Sequence, residues 1–201
     1  TEAGMITSNP YKLSQRIPNT VGYTLPGISA RINDTKGKKL SPGEIGVLEI
    51  SGPNVFTGYW QMQEKTAEEF REDGYFITGD MATMERDGRI SIVGRLKDLV
   101  ISGGYNVYPK EIELIIDKLF GVKESTVIGV PHPDFGEAVV AVVVEDDGEN
   151  ISEASIKSQL VNTLAKFKHP KKIFYTKALP RNTMGKVQKN LLREIYAETF
   201  K

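Results

Sequence analysis

The chain has 201 residues, in which 26 lysine and arginine residues balance 26 aspartate and glutamate residues. A formal charge of zero does not favour a polyanion such as DNA as a partner, and the lack of cysteine excludes a disulfide framework and a cysteine nucleophile. Two histidines are too few for a convincing metal cluster. No apolar run is long enough for a membrane-spanning helix, so we expect a soluble, cytoplasmic protein.

The first half of the chain carries the signals of short antiparallel strands. Strands are predicted for four segments: Glu44–Ile50, Tyr75–Thr78, Met81–Glu85 and Arg89–Val93. The Asp87-Gly88 pair between the last two is a hairpin signal. A short helix is predicted for Glu64–Arg71, with Gly74 after its end. Residues 21–94 are therefore predicted to form a small, mostly antiparallel β unit.

The pattern changes after Asp98, where a helix is predicted to begin at Pro109. A proline fits the first helical position because its missing N–H would be unpaired there in any case. The buried face of this helix follows helical spacing and consists of Ile112, Ile115, Ile116 and Leu119. Glu111 and Glu113 lie near the positive end of the helix dipole, and Gly121 ends the helix.

The rest of the chain predicts further strands and two more helices. The strands are Ser125–Val130, Ala138–Val144 and Lys171–Tyr175. Ser152 is predicted to cap a helix whose inner face is Ile156, Leu160 and Leu164. The last predicted helix, Asn190–Phe200, directs Leu191, Leu192 and Ile195 inward. The fold class is therefore α+β, a mostly antiparallel β subdomain followed by a small α+β domain, with a boundary at Leu96–Asp98.

Two residues of the first half are candidates for binding a nucleotide. Asp80 ends the stretch YFITGD, and a carboxylate on a tight turn can accept from two neighbouring hydroxyls, as a ribose diol presents them. The alternative is an ordinary turn aspartate. Arg95 offers a planar fork of donors for phosphate or sugar oxygens, or it forms a surface salt bridge. The Asp87-Gly88 hairpin would bring Asp80 and Arg95 together.

The second half offers three further candidates. Gly103-Gly104 is either a plain turn or bare backbone that a thin chain can pass closely. Lys186, in the stretch PRNTMGKVQK, lies on a turn where its ammonium group could meet charge that develops in a transition state. A solvated basic loop is the alternative. A basic cluster, formed by Lys166, Lys168, Lys171 and Lys172, is a solvated rim or a receptor for an anionic ligand.

Taken together, these stretches resemble the adenylate-forming superfamily of acyl-CoA synthetases, luciferases and peptide-synthetase adenylation domains. Four motifs occur in the order of that superfamily: Thr1-Glu2, YFITGD at 75–80, GRLKDLVISGGYNVYPKEIE at 94–113 and PRNTMGKVQK at 180–189. The resemblance covers the whole chain and, within the superfamily, is greatest to malonyl-CoA synthetases. It implies a two-step ligase in which a carboxylate and ATP form an acyl-adenylate, from which the thiol of CoA displaces AMP.

The resemblance also implies roles for individual residues. Asp80 would hold the ribose hydroxyls of ATP or AMP, and Arg95 would contact ribose or phosphate. Thr1 would contact the AMP phosphate, and Glu2 would help to hold Mg²⁺, a hard cation that prefers oxygen ligands. Lys186 would bridge the reacting carboxylate and the α-phosphate as an electrostatic stabiliser.

In the second half-reaction the resemblance assigns the remaining motif residues. Gly103 and Gly104 would line the tunnel for the pantetheine arm of CoA. Lys97 occupies the position of a hinge about which the C-terminal domain turns between the two half-reactions. The basic cluster would then meet the CoA phosphates.

Members of the superfamily carry several hundred residues before the Thr-Glu motif. The chain is therefore expected to be the C-terminal portion of a longer enzyme, with residues 1–96 as the last β subdomain and 97–201 as the mobile domain. Its partner would be the upstream portion, which would hold the acid pocket, so malonate is favoured by overall similarity alone. The isolated chain is expected to be inactive. Two alternatives share these motifs: an adenylation enzyme that loads a carrier protein, and a non-catalytic stand-alone module.

Overall fold

The computed structural model describes residues 2–201 and leaves Thr1 undescribed. The chain divides into two compact units, Thr1–Lys97 and Asp98–Lys201, and the division falls within a single turn of 3-10 helix at Leu96–Asp98. Each unit has its own sheet and its own core. Among the helices of residues 2–201, none combines the length and the apolar character that a bilayer crossing requires.

The first unit is built on a four-stranded antiparallel sheet whose strands lie side by side in chain order. Its elements in chain order are β1 (Thr7–Ser8), β2 (Tyr23–Thr24), β3 (Ser29–Asn33), β4 (Gly46–Ser51), α1 (Gln63–Glu69), β5 (Phe76–Met84) and β6 (Ile90–Arg95). The predicted antiparallel β unit and the hairpin at Asp87-Gly88 are confirmed. The two strands predicted before that hairpin form one long strand, β5, because the chain stays extended through a local irregularity at Thr78–Asp80.

The second unit is a five-stranded sheet with helices on both faces. Its elements are β7 (Val100–Ser102), β8 (Tyr105–Val107), α2 (Pro109–Ile116), β9 (Val122–His132), β10 (Gly136–Glu145), α3 (Glu153–Val161), β11 (Lys172–Tyr175) and α4 (Lys189–Ile195). Strand β9 runs antiparallel along one edge of β10, while β11, in parallel, and β7, antiparallel, share the other edge. The predicted α+β class is confirmed.

Strand β10 is buried on both faces, which explains why Ala138–Val144 is a continuous apolar run rather than an alternating one. On one face, helices α2 and α3 pack on the sheet through Ile112, Ile116, Ile156 and Leu160. On the other face, α4 and the segment before it pack through Leu179, Val187 and Leu192. The predicted cap of α3 is confirmed, since the Ser152 hydroxyl accepts a hydrogen bond from the Ser155 N–H.

The predicted inner face of α4 is partly wrong. Leu192 is 3% exposed, but Leu191 is 37% exposed and Ile195 is 58% exposed. The helix ends at Ile195, and the residues that join Leu192 in the core are Tyr196 and Phe200. Leu192 and Tyr196 are four residues apart and form the stripe that packs on the sheet, whereas Leu191 and Ile195, also four apart, form a separate stripe that is exposed.

This correction predicts opposite outcomes for two alanine substitutions in α4. Leu192→Ala should lower the free energy of unfolding of the second unit by roughly 2–5 kcal/mol, because it leaves a cavity in the core. Ile195→Ala should change it by no more than about 0.5 kcal/mol, because the side chain is exposed. Urea unfolding followed by far-UV circular dichroism measures both. Equal losses would show that α4 packs through the face predicted from the sequence.

Candidate functional site

Asp80 and Arg95 lie side by side at the end of the β5–β6 hairpin. They occupy paired positions of the two strands, and the Arg95 Nε lies 2.9 Å from the Asp80 Oδ1. A guanidinium NH of Arg95 also donates to the Thr78 carbonyl at 3.2 Å. The hairpin thus brings the two predicted nucleotide-binding residues together as an ion pair.

The regular pairing of β5 with β4 is interrupted at the end of the YFITGD stretch. Strand β4 pairs with Ile77 and then with Met81, so that Thr78–Asp80 face the single residue Leu48. The Thr78 hydroxyl donates to the Leu48 carbonyl at 2.8 Å and accepts from the Asp80 N–H at 3.1 Å. Extra residues of this kind turn a side chain out of the regular alternation of a strand. Thr78 is therefore a local support for Asp80 that the sequence reasoning missed.

The environment of Asp80 shifts the pKa of its carboxyl upward. Burial raises the pKa of the Asp80 carboxyl above its ordinary value, and the positive charge of Arg95 opposes this by lowering the pKa. The Asp80 side chain is 28% exposed and that of Arg95 is 52% exposed. An ion pair with this much exposure is weak, so either partner can exchange it for a polar ligand at little cost.

Gly103-Gly104 forms the tight turn of the β7–β8 hairpin. The φ angles of +57° and +82° lie in the left-handed region, as a two-residue hairpin turn requires. The Gly103 N–H donates to the Phe135 carbonyl at 2.9 Å, which joins the turn to the β9–β10 connection. A Cβ on Gly104 would meet nothing within 4 Å, so this backbone is open to an approaching group.

Lys186 lies on a hairpin whose backbone is held by hydrogen bonds with neighbouring side chains. The Asn182 side-chain oxygen accepts hydrogen bonds from the N–H groups of Met184 and Lys186, at 3.0 and 2.9 Å. The Arg181 guanidinium donates to the Gly185 carbonyl at 2.7 Å and forms an ion pair with Glu124. The Lys186 side chain itself is exposed. The backbone is therefore held while the ammonium group stays accessible.

A buried ion pair behind this hairpin was not predicted from the sequence. Glu113, on α2, and Lys189, at the start of α4, meet with the Lys189 Nζ 2.6 Å from the Glu113 Oε1, and their side chains are 7% and 17% exposed. The main interaction of Glu113 is therefore this ion pair, and not the interaction with the helix dipole that the sequence predicted. Glu113 lies between Ile112 and Ile116 on the buried side of α2, and this position was the one signal in the sequence.

The basic cluster is less free than its composition suggests. The Lys168 ammonium lies 2.7 and 2.9 Å from the two carboxylate oxygens of Glu111, so its charge is compensated. Lys171 lies over the Phe135 ring at 4.7 Å, next to the glycine turn, and Lys166 and Lys172 are exposed. Within this cluster, Lys166, Lys171 and Lys172 are therefore the lysines whose charge is not compensated by a carboxylate contact among residues 2–201, and Lys171 lies next to the turn.

The Lys186 hairpin and the glycine turn attach near opposite ends of β9. The Lys186 hairpin is tied to Glu124, whereas the glycine turn adjoins the connection that follows His132. Eight residues separate these points along the strand, or roughly 26 Å at about 3.3 Å per residue. The hairpin and the turn thus lie on separate parts of the surface of this unit.

Glu2, Lys97 and Thr1 are the remaining predicted residues. The Glu2 carboxylate accepts a hydrogen bond from the Tyr59 hydroxyl at 3.4 Å, and Lys97 lies exposed in the turn between the units. Residues 2–201 contain no group of three or more His, Asp or Glu side chains that could hold a metal ion. One carboxylate nevertheless fits Mg²⁺, which commonly takes one or two carboxylates and completes its shell with water and phosphate. Thr1 lies outside the described residues.

Comparison with known proteins matches the chain to AMP-binding enzymes and to CoA ligases. The family model of the AMP-binding enzyme matches residues 1–60, and that of the AMP-binding enzyme C-terminal domain matches residues 111–186. A feruloyl-CoA synthase from Amycolatopsis is 44% identical over 163 residues, which are 81% of this chain and 33% of the relative. A long-chain-fatty-acid–CoA ligase from Yersinia pestis is 36% identical over 190 residues, or 94% of this chain and 33% of the relative.

A solved structure matches the full length of the chain. ATP-bound MatB from Rhodopseudomonas palustris is 58% identical with a TM-score of 0.92, and the match covers 100% of this chain and 40% of that chain. The chain belongs to the adenylate-forming superfamily of AMP-binding enzymes, and its relatives are acyl-CoA synthetases. It spans about a third of the length of the curated relatives that it matches.

The environment of Asp80 predicts an unusual titration. Its carboxyl should titrate above the ordinary aspartate pKa of about 3.9, and Arg95→Gln should raise the midpoint further. The folded state holds the Asp80 proton more tightly than the unfolded state does. The resulting contribution to the free energy of unfolding is therefore complete below about pH 3.9 and is lost as pH rises through the folded-state pKa. Carboxyl ¹³C chemical shifts recorded against pH measure the midpoint.

Asp87 is the matched control for this titration. The Arg89 N–H donates to its carboxylate and holds its pKa below the ordinary value. Its midpoint should therefore lie below that of Asp80 and should not respond to Arg95→Gln. An Asp80 midpoint that falls in the Arg95 variant would contradict the assigned electrostatics.

Proposed function

We propose that this chain is the C-terminal part of an ATP-dependent acyl-CoA ligase that activates a small carboxylic acid, with malonate favoured. The observation that carries the proposal is the separation of two segments attached near opposite ends of β9, the Lys186 hairpin and the bare Gly103-Gly104 turn. Two separate segments suit two successive reactions on one intermediate. ATP and CoA are the co-substrates, so we place the enzyme in the cytoplasm.

In the first half-reaction, the carboxylate oxygen of the acid attacks the α-phosphorus of ATP and pyrophosphate leaves. Asp80 accepts hydrogen bonds from the ribose hydroxyls, and Arg95 turns from Asp80 to the ribose or phosphate. Lys186 stabilises the negative charge shared by the attacking carboxylate and the α-phosphate, with no need to transfer a proton. Thr1 contacts the phosphate. Glu2 would hold Mg²⁺, which neutralises phosphate charge when bound.

In the second half-reaction, the thiol of CoA attacks the acyl carbon and AMP leaves. The pantetheine arm passes Gly103 and Gly104, where no side chain blocks its path. Lys166, Lys171 and Lys172 attract the phosphates of CoA. A turn of the second unit about Lys97 would withdraw Lys186 after adenylation and present the glycine turn.

Support for malonate comes from the similarity to MatB, a malonyl-CoA synthetase that is 58% identical over the whole chain. The feruloyl-CoA and long-chain fatty acid relatives use larger acids and are less similar. Malonate carries a second carboxylate, so a pocket that selects it must supply a cation or several donors.

The proposal predicts that two substitutions separate the half-reactions in the parent enzyme. Lys186→Ala should abolish adenylation yet spare thioester formation from supplied acyl-adenylate. Gly104→Asn should do the reverse, because asparagine tolerates a positive φ and its side chain would enter the open space beside the turn. Pyrophosphate exchange measures the first half-reaction, and thioester release measures the second.

Lys118→Ala and Gly148→Asn are the matched controls for these variants. Lys118 is an exposed lysine, and Gly148 has a φ of +84° with nothing within 4 Å of its Cβ position. Both variants should keep both activities. Equal loss of the two half-reactions in Lys186→Ala would refute the assigned role of Lys186.

The substrate is tested by ATP–pyrophosphate exchange with the parent enzyme across malonate, methylmalonate, acetate, a medium-chain fatty acid and amino acids. Exchange with malonate, followed by a thioester when free CoA is added, is the expected result. Exchange only with another acid would overturn malonate but keep the ligase. Exchange without transfer to free CoA would favour a carrier protein as acceptor. The isolated 201-residue chain should show no exchange.

A further inference from the structure

We propose that Glu113 and Lys189 are positioning residues that hold the Lys186 hairpin against the free edge of β9 and so set where the Lys186 ammonium acts. The inference rests on the proposed function of Lys186 for its catalytic meaning. Its structural content, a hairpin oriented by a buried ion pair, stands on contacts within the second unit alone.

The hairpin is closed at its base and tied down on both sides. The Gln188 N–H donates to the Pro180 carbonyl at 2.8 Å, and Arg181 and Val187 form an antiparallel bridge. On the entry side, Arg181 pairs with Glu124. On the exit side, Lys189 follows Gln188 directly, and its side chain, which is 17% exposed, pairs with Glu113. The direction of the hairpin therefore depends on these two ties.

The exit tie, which is the ion pair of Lys189 with Glu113, also bonds to the backbone at the edge of the sheet. The Val127 N–H donates to the Glu113 carboxylate at 2.9 Å, and the Lys189 ammonium donates to the Val127 carbonyl at 3.1 Å. Both polar groups of Val127 therefore face away from β10. The ion pair occupies the place that a neighbouring strand would take, and the exit from the hairpin is fixed to one position along β9.

The exit tie is the stiffer of the two. The Arg181 and Glu124 side chains are 43% and 27% exposed, so water competes for their contact. The Lys189 and Glu113 side chains are 17% and 7% exposed, and each makes a further hydrogen bond to Val127. A buried pair with its remaining hydrogen bonds satisfied resists rearrangement, because either charge alone would be left uncompensated.

Loss of this tie should affect one half-reaction more than the other. Lys186 is three residues from Lys189, so a hairpin free to tilt would misplace its ammonium group. A displacement of about 1 Å can lower the rate of a positioned reaction by roughly 10²-fold. The Gly103-Gly104 turn adjoins the other end of β9 and should be unaffected.

The test is Lys189→Gln in the parent enzyme. Amide hydrogen exchange in the peptide that covers 180–188 should become faster, while peptides from β9 and β10 stay protected. The kcat of adenylation should fall by roughly 10²-fold, with the KM for ATP little changed, because Asp80 and Arg95 are intact. Thioester formation from supplied acyl-adenylate should stay within about twofold.

Lys110→Gln is the matched control, since it removes the same charge beside the same carboxylate. The Lys110 Nζ lies 3.8 Å from the Glu113 Oε2, and its side chain is 50% exposed on α2. This variant should match the wild type in exchange and in both half-reactions.

Two results would overturn the proposal: unchanged exchange of the hairpin in Lys189→Gln, or equal losses in both half-reactions. If Lys189→Gln unfolds the second unit, β9 and β10 also lose protection. The double variant Glu113→Gln/Lys189→Gln, which leaves no buried charge unpaired, is then judged by the same two results. If the wild-type enzyme adenylates no acid, the proposed function fails, whereas hairpin exchange still decides whether the ion pair positions Lys186.

Discussion

The antiparallel pairing of β9 with β10 is the constraint on which the second unit depends. It runs from Gly136 opposite His132 to Glu145 opposite Val122, and β10 is buried by helices on both faces. Every candidate segment of the unit is attached to this pair. The glycine turn follows β7, which bonds to the start of β10, and the Lys186 hairpin is tied to the outer edge of β9. A rigid pair of strands can keep two loops at a fixed distance.

The ion pairs Asp80–Arg95 and Glu113–Lys189 differ in solvent exposure, and this difference indicates different roles for them. The pair of Asp80 and Arg95 is partly exposed, and pairs of this kind contribute about 0–1 kcal/mol to stability. Such a pair can open when a ligand arrives. The pair of Glu113 and Lys189 is buried, and removal of one partner of a buried pair typically costs about 3–5 kcal/mol. A pair of this kind is suited to hold a loop rather than to bind a substrate.

The chain is similar to ligases that are named for different acids. Relatives named for ferulate and for long-chain fatty acids match most of the chain, although the acids differ greatly in size. What the names of these relatives share is CoA, the partner to which each acid is joined. Under the proposed function, the Asp80–Arg95 pair, the glycine turn and the Lys186 hairpin would serve the steps common to these ligases, and other contacts would recognise the acid.

The sequence by itself determined the local features: the hairpin at Asp87-Gly88, the start of α2 at Pro109 and the cap at Ser152. The order of the motifs was also readable. These signals depend on residues that are neighbours in the chain, where backbone preference and spacing decide the outcome. Tertiary structure alone decided the inner face of α4 and the pairing of Glu113 with Lys189, 76 residues apart. Both depend on how helices dock on β9, which spacing within one helix does not encode.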